Sequence, residues 1–132
     1  LQAANTAKNW PSLAPLLRLE VVGLENAQGF GDFSKATSLT SLNLNRTGYS
    51  DLRKLSALKN LASLSLGFNE IESLEALPAL ENLEVLRLRG NRLTKLGKLA
   101  FRLPSLKVLE FSGARLEDFH EIETLTNLEQ LS

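Results

Sequence analysis

The sequence predicts an α/β solenoid: short coils stacked flank to flank and curved, with a parallel sheet on the concave face and 3₁₀ or short helical turns on the convex face. Three observations carry this. First, four consecutive segments superimpose almost residue for residue from Leu39, Leu61, Leu83 and Leu106, and a further copy starts at Leu128, so the steps are 22, 22, 23 and 22 residues. Second, each copy opens L-x-x-L-x-L, whose end alternates with the period of a short strand, as in Leu64-Ser65-Leu66 and Leu86-Arg87-Leu88. Third, the remainder carries an apolar residue at every third position, Ile71, Leu74, Leu77 and Leu80 in one copy and Leu93, Leu96 and Leu99 in the next. That spacing eclipses side chains on a 3₁₀-like turn. One coil cannot bury its own leucines, so neighbours must cover them.

In chain order, residues 1–15 hold Trp10, Pro11 and Pro15 without repeat phase and read as an N-terminal cap, Trp10 and Leu13 packing over the first coil. The other reading is the tail of a preceding coil. Residues 16–132 form the solenoid. Its weakest copy starts at Leu16, with Leu19 and Val21 in phase, then slips by one residue before Phe30, Phe33 and Ala36. In the regular copies Asn69 and Asn91 stand three residues beyond the second strand leucine, where an amide can both donate to and accept from the adjoining coils. Thr47 does part of that work, and Leu24 and Ala114 none of it. Tyr49 aligns with Ile71, Leu93 and Leu116, so a core position with its hydroxyl reaching the edge is expected. Pro78 and Pro104 preclude a long regular helix in the return segments. The extra residue of the third copy, near Phe101, predicts a local bulge without chemistry. The strand begun at Leu128 stops at once, leaving the preceding coil's face for a continuing chain or a second molecule to cover.

The pattern L-x-x-L-x-L-x-x-N-x-[IL] closely resembles leucine-rich repeats. The 22-residue step and period-three tail are most similar to the short class of internalins and phosphatase-regulatory repeat proteins, over roughly Leu16 to Leu131. The first resemblance implies adhesion or secretion by a bacterium, the second an intracellular regulatory subunit; the balance lies narrowly with a secreted or cell-surface bacterial protein. Internalins usually keep a fuller Asn ladder and a recognisable helical cap, and this sequence departs from both.

Composition narrows the function. Fifteen Lys/Arg balance fifteen Asp/Glu, so no global field attracts nucleic acid or an anionic membrane. The lack of Cys excludes a disulfide scaffold, thiolate metal sites and a cysteine nucleophile. A single His, His120, makes a His-rich metal site or a conventional triad hard to build, and no metal or cofactor is expected. The apolar stretch Leu13–Leu24 is broken by Arg18 and Glu20, which excludes membrane insertion there. The chain opens at Leu1 and lacks Met, which reads as a processed or excised piece. Net charge alternates by coil: +3 for 39–60, −4 for 61–82, +5 for 83–105 and −3 for 106–127. Return-segment positions Arg53, Glu75, Lys98 and Glu121 alternate likewise, as do Glu72, Lys95 and Asp118. Such exposed pairs contribute about 0–1 kcal/mol each but oppose a slip of register. The basic run Arg87–Arg102 is therefore read as matching its neighbours rather than as a nucleic-acid patch.

The residues between the strand leucines face the concave side. Across coils they form columns: Arg18, Ser41, Ser63, Val85, Val108; then Glu20, Asn43, Ser65, Arg87, Glu110; then Val22, Asn45, Gly67, Arg89, Ser112. A last column holds Arg46 and Phe68, with glycine at 23, 90 and 113. A uniform frame with a varied face is what a recognition scaffold produces. The candidate partner-binding set is Arg18, Glu20, Asn43, Asn45, Arg46, Ser65, Phe68, Val85, Arg87, Arg89, Val108 and Glu110. Phe68 either anchors a partner or folds over the strand end. Arg87 and Arg89 either grip a carboxylate or pair with Glu84 and Glu110. His120 aligns with outward-pointing Arg53 and Glu75 and is expected in solvent. Asn45-Arg46-Thr47 matches a glycosylation sequon whose glycan would obstruct this face. The expected function is non-enzymatic recognition of a protein partner on the concave strand face, since no nucleophile, base and oxyanion set converges. The alternative is a structural or regulatory spacer of a larger protein, self-associating through its C-terminal edge.

Overall fold

The computed structural model describes residues 33–112 and 115–132, and of residues 18–20 the backbone alone. The proposed cap, Leu24 and Ala114 lie outside the described residues. One parallel sheet takes its strands in chain order: β1 (Arg18–Glu20), β2 (Ser41–Asn43), β3 (Ser63–Ser65), β4 (Val85–Arg87), β5 (Val108–Glu110) and β6 (Gln130–Leu131). The register is set by the repeat, each strand's leucine pairing with the next: Leu19 with Leu42, then Leu64, Leu86, Leu109 and Leu131. Pairing continues past the strand ends, where Arg46 N–H donates to the Gly67 carbonyl and Phe68 N–H to that of Arg89, both at 2.9 Å.

The convex side is built of single turns: a 3₁₀ turn at Leu52–Leu55, α1 (Leu99–Arg102) and α2 (His120–Glu123). None would persist alone, because one turn does not recover the cost of helix nucleation. The 3₁₀ turn and α1 hold because Leu52, Leu55 and Leu99 point into the core, and α2 rests on the core through partly buried Ile122. The coil between has an isolated parallel bridge from Ser73 to Lys95. Strand leucines and return-segment leucines thus meet in one continuous column, from Phe33 to Leu125, and most of its members are fully buried. Each buried leucine contributes about 1.5–3 kcal/mol.

Polar groups inside this column are satisfied by the two asparagines. Asn69 Nδ2 donates to the carbonyls of Leu44 (2.8 Å) and Leu66 (2.9 Å), and its Oδ1 accepts from Thr47 N–H and Gly48 N–H. Asn91 repeats the arrangement one coil on, donating to Leu66 and Leu88 and accepting from Asn69 N–H and Ile71 N–H. Thr47 takes the equivalent place one coil back, its hydroxyl donating to the Leu44 carbonyl at 2.8 Å. A second ladder runs along the outside just before each strand. There Asn60, Asn82 and Asn127 donate to the carbonyls of Thr37, Lys59 and Pro104, and Ser105 to that of Glu81.

The charged ladder differs from expectation. Arg53 pairs with Asp51 of its own coil at 3.0 Å rather than across coils. Among the described residues the cross-coil ion pairs are Arg87–Glu110, Lys107–Glu84 and Arg92–Glu70. Arg102 joins its neighbour through backbone instead, Nη1 donating to the carbonyls of Leu74, Glu75 and Leu77 at 2.7–2.8 Å. Arg53 leaves the expected ladder because Asp51, two residues away, is the nearer carboxylate.

Tyr49 is buried as its alignment requires, edge-on to Phe33 at 6.1 Å between ring centroids. Its hydroxyl does not reach the edge, however. It is buried without a hydrogen-bond partner among the described residues, and that burial, with Asp51 nearby, pushes the phenol's pKa up. At the far end the column is thinly covered: Phe119, equivalent to buried Leu52 and Leu74, is 61% exposed, and Leu131 is 49% exposed.

Candidate functional site

The strand residues between the leucines make a shallow floor whose character changes along the stack. Ser41, Asn43, Ser63 and Asn45 form a small, polar first half, all half-buried. Val85 and Val108 pair across β4 and β5 and form a half-buried apolar strip in the second half. Arg18 and Glu20 pair by backbone with Ser41 and Asn43, and their side chains lie outside the description.

Several predicted contact residues are engaged within the chain. Asn45 Oδ1 accepts from Gly67 N–H at 2.6 Å, tying one strand exit to the next, and Asn43 Oδ1 accepts from Asn45 N–H. Ser65 is only 8% exposed, a small side chain between the longer Asn43 and Arg87 on flanking strands, so it offers little to a partner. Arg87 Nε lies 3.3 Å from the Glu110 carboxylate, so it pairs with its neighbouring strand while remaining exposed. Arg89 is different: exposed, with no ion-pair partner among the described residues.

Just past the strands the chain turns through left-handed backbone. Arg46, Phe68 and Gly90 occupy the same place in successive coils, with φ of 57°, 59° and 75°. This conformation costs a non-glycine residue about 1–2 kcal/mol. It turns the side chains at 46 and 68 out over the strand exits. The Arg46 guanidinium lies over the Phe68 ring, 4.4 Å from its centroid. On the other flank the ring covers Gly90, where any Cβ would overlap it. Phe68 packs locally between Arg46 and Gly90, as one of its two expectations has it, and stays 47% exposed. The cation on one ring face is attracted to the ring and holds it in place against Gly90.

The other candidate features resolve into structure. The basic run is divided between faces: Arg87 and Arg89 stand on the strand side, Arg102 on the outer side, so no single cationic surface forms. The sequon is occupied by the fold itself, Thr47 being buried and Asn45 holding Gly67. His120 is exposed at the start of α2, Nδ1 3.2 Å from the Glu123 carboxylate. Among the described residues no His, Cys, Asp and Glu group could hold a metal ion, and no helix is long and apolar enough to cross a membrane. Two positions passed unnoticed in the sequence: the Arg102 clamp and the outer Asn/Ser ladder. The ladder had a signal, since each regular copy ends in Asn or Ser.

Comparison with known proteins agrees with this geometry. Residues 81–132 match a family model described as leucine rich repeat. A 49-residue stretch, 37% of the chain, is 51% identical to "Leucine-rich repeat and WD repeat-containing protein 1" of Danio rerio, of which it spans 6%. Internalin C2 from Listeria monocytogenes superimposes with a TM-score of 0.71 at 22% identity, over 86% of this chain and 50% of that one. Internalin F from the same organism gives 0.64 at 26% identity, over 90% and 41%. The chain thus spans half or less of the proteins it resembles.

Proposed function

We propose that this leucine-rich repeat protein is a non-enzymatic recognition module that binds a protein partner on its concave strand face. The observation that carries this is Phe68, an aromatic at a place where a neighbouring coil has glycine, held by Arg46 and left half in solvent. Large aromatics held rigid at a surface lose little entropy on contact and dominate binding energy where they are covered. Arg89 and the Val85–Val108 strip extend the surface on the same side. Asn43, Asn45 and Ser65 act as its frame, and Arg87–Glu110 as a rim pair. The fold likeness to two Listeria monocytogenes internalins supports a secreted or cell-surface bacterial setting.

A pull-down with the purified chain tests this. Phe68→Ala and the double change Arg87→Ala/Arg89→Ala should each reduce capture of the native partner at least about tenfold, the loss of roughly 1.4 kcal/mol. Undiminished capture by both would overturn the concave-face reading. It would favour association through the C-terminal edge, where Phe119 and Leu131 are exposed.

A further inference from the structure

Around Phe68 the charges do not cancel. Glu110 is taken by Arg87, Glu70 by Arg92 and Glu84 by Lys107. Arg46 has the Phe68 ring as its contact and no carboxylate, and Arg89 has none either among the described residues. The two flank Phe68 in sequence order across three coils: Arg46 in the first, Phe68 in the second, Arg89 in the third. Strands in such a stack lie about 4.8 Å apart, so the backbones that carry the two arginines are separated by about 10 Å across the coils.

We propose that the strand-exit rim built from Arg46, Phe68 and Arg89 takes an extended acidic segment of the protein partner, with an apolar side chain seated on Phe68 between two carboxylates. The inference rests on the concave-face reading and names the chemistry of its partner. An extended chain advances about 3.3 Å per residue, so carboxylates two to four residues apart reach both arginines. Guanidinium is suited to this work: it binds carboxylate through its edge while its face remains on the ring. Gly90 matters as well, because it alone leaves space for the ring to lie flat across the next coil. A nucleic acid fits less well, since its continuous phosphates would run on against Glu70 and Glu110 of the coils at the same rim.

The test uses fluorescein-labelled peptides in which two glutamates flank a phenylalanine at separations of one to four residues. Counterparts carry glutamine or lysine for glutamate, and a single-stranded oligonucleotide serves as polyanion control; anisotropy is read at low and moderate salt. The glutamate peptides should bind, weaken with salt, and lose at least about tenfold in affinity with Arg89→Ala, Arg46→Ala or Phe68→Ala. Equal binding of the glutamine set, no binding of any glutamate peptide, or preference for the oligonucleotide would overturn the proposal. If Phe68→Ala abolishes capture of the native partner while the acidic peptides neither bind nor compete, the concave-face reading stands and the acidic chemistry falls.

Discussion

Tyr49 carries a buried hydroxyl that satisfies nothing, and this makes it a probe of the core. Leaving a polar group dry costs about 1–3 kcal/mol, so Tyr49→Phe should raise stability by about 1 kcal/mol in urea unfolding at neutral pH. The sign of the pH effect follows from its raised pKa. The unfolded phenol ionises near pH 10 while the folded one keeps its proton, so the folded state binds more protons above that pH. Stability is intact below about pH 10 and falls above it, at most about 1.4 kcal/mol per pH unit. The advantage of Tyr49→Phe should therefore grow above pH 10; parallel decline of the two proteins would show that the phenol ionises as readily folded as unfolded. Alignment with Ile71 and Leu93 was enough to place Tyr49 in the core. It could not give the depth of the hydroxyl, which depends on how far the adjoining coil covers the ring. Phe68 was legible for a similar reason and to a similar limit. Its exposure follows from its place in the repeat, but the Arg46 stack depends on side-chain direction across coils, which spacing does not carry.

At the scale of the element, α1 shows what a return-segment turn can do beyond burying a leucine. The coil that starts at Leu83 has 23 residues where the other three regular coils have 22, and its return segment carries the helical turn Leu99–Arg102. The turn brings Arg102 back over the preceding coil, where its guanidinium collects three carbonyls, and Nη2 also approaches Leu96 of its own coil at 3.3 Å. Burial there lowers the guanidinium's pKa, against the opposing pull of Glu121 and Glu75. The fork sets one nitrogen on the preceding coil and the other toward Leu96 of its own coil, a division between two sites that a single ammonium does not reproduce. Arg102→Ala should cost about 2–3 kcal/mol in urea unfolding, with faster hydrogen exchange at Leu80 N–H, which donates to the Arg102 carbonyl. Arg102→Lys should recover less than half of the loss; full recovery would mean that charge, not the fork, holds the coils. The sequence showed the insertion as a bulge and could not show the Arg102 clamp, because that is a contact with backbone, to which residue identity gives no clue. The strands and inward leucines were legible because period and burial are the same fact there. The outer Asn60, Asn82, Ser105 and Asn127 ladder was equally periodic, and was passed over because a polar residue at a coil boundary resembles any loop residue.

For the molecule as a whole, the sheet pairs each coil with its immediate neighbours alone, so stability is a sum of coil terms and interfaces. Whole coils are then exchangeable units, and the alternating charge becomes testable by removing one. Deleting residues 61–82 keeps the repeat phase and leaves Thr47 facing Asn91 in the place of Asn69, so the inner amide ladder can close again. It also sets the coil of net charge +3 directly against the coil of net charge +5. If alternation opposes wrong neighbours, the shortened chain should fold with a lower unfolding midpoint that rises as salt screens the like charges. The parent, whose adjoining coils carry opposite signs, should stay level or fall over the same salt range. Removing residues 61–105 instead joins +3 to −3, and this still shorter chain should resemble the parent in its salt response whatever its absolute stability. The comparison separates charge from length, because both deletions shorten the stack but only one creates a like-charged interface. Identical salt dependence for all three chains would show that the leucine column and the asparagines set the register without help from charge.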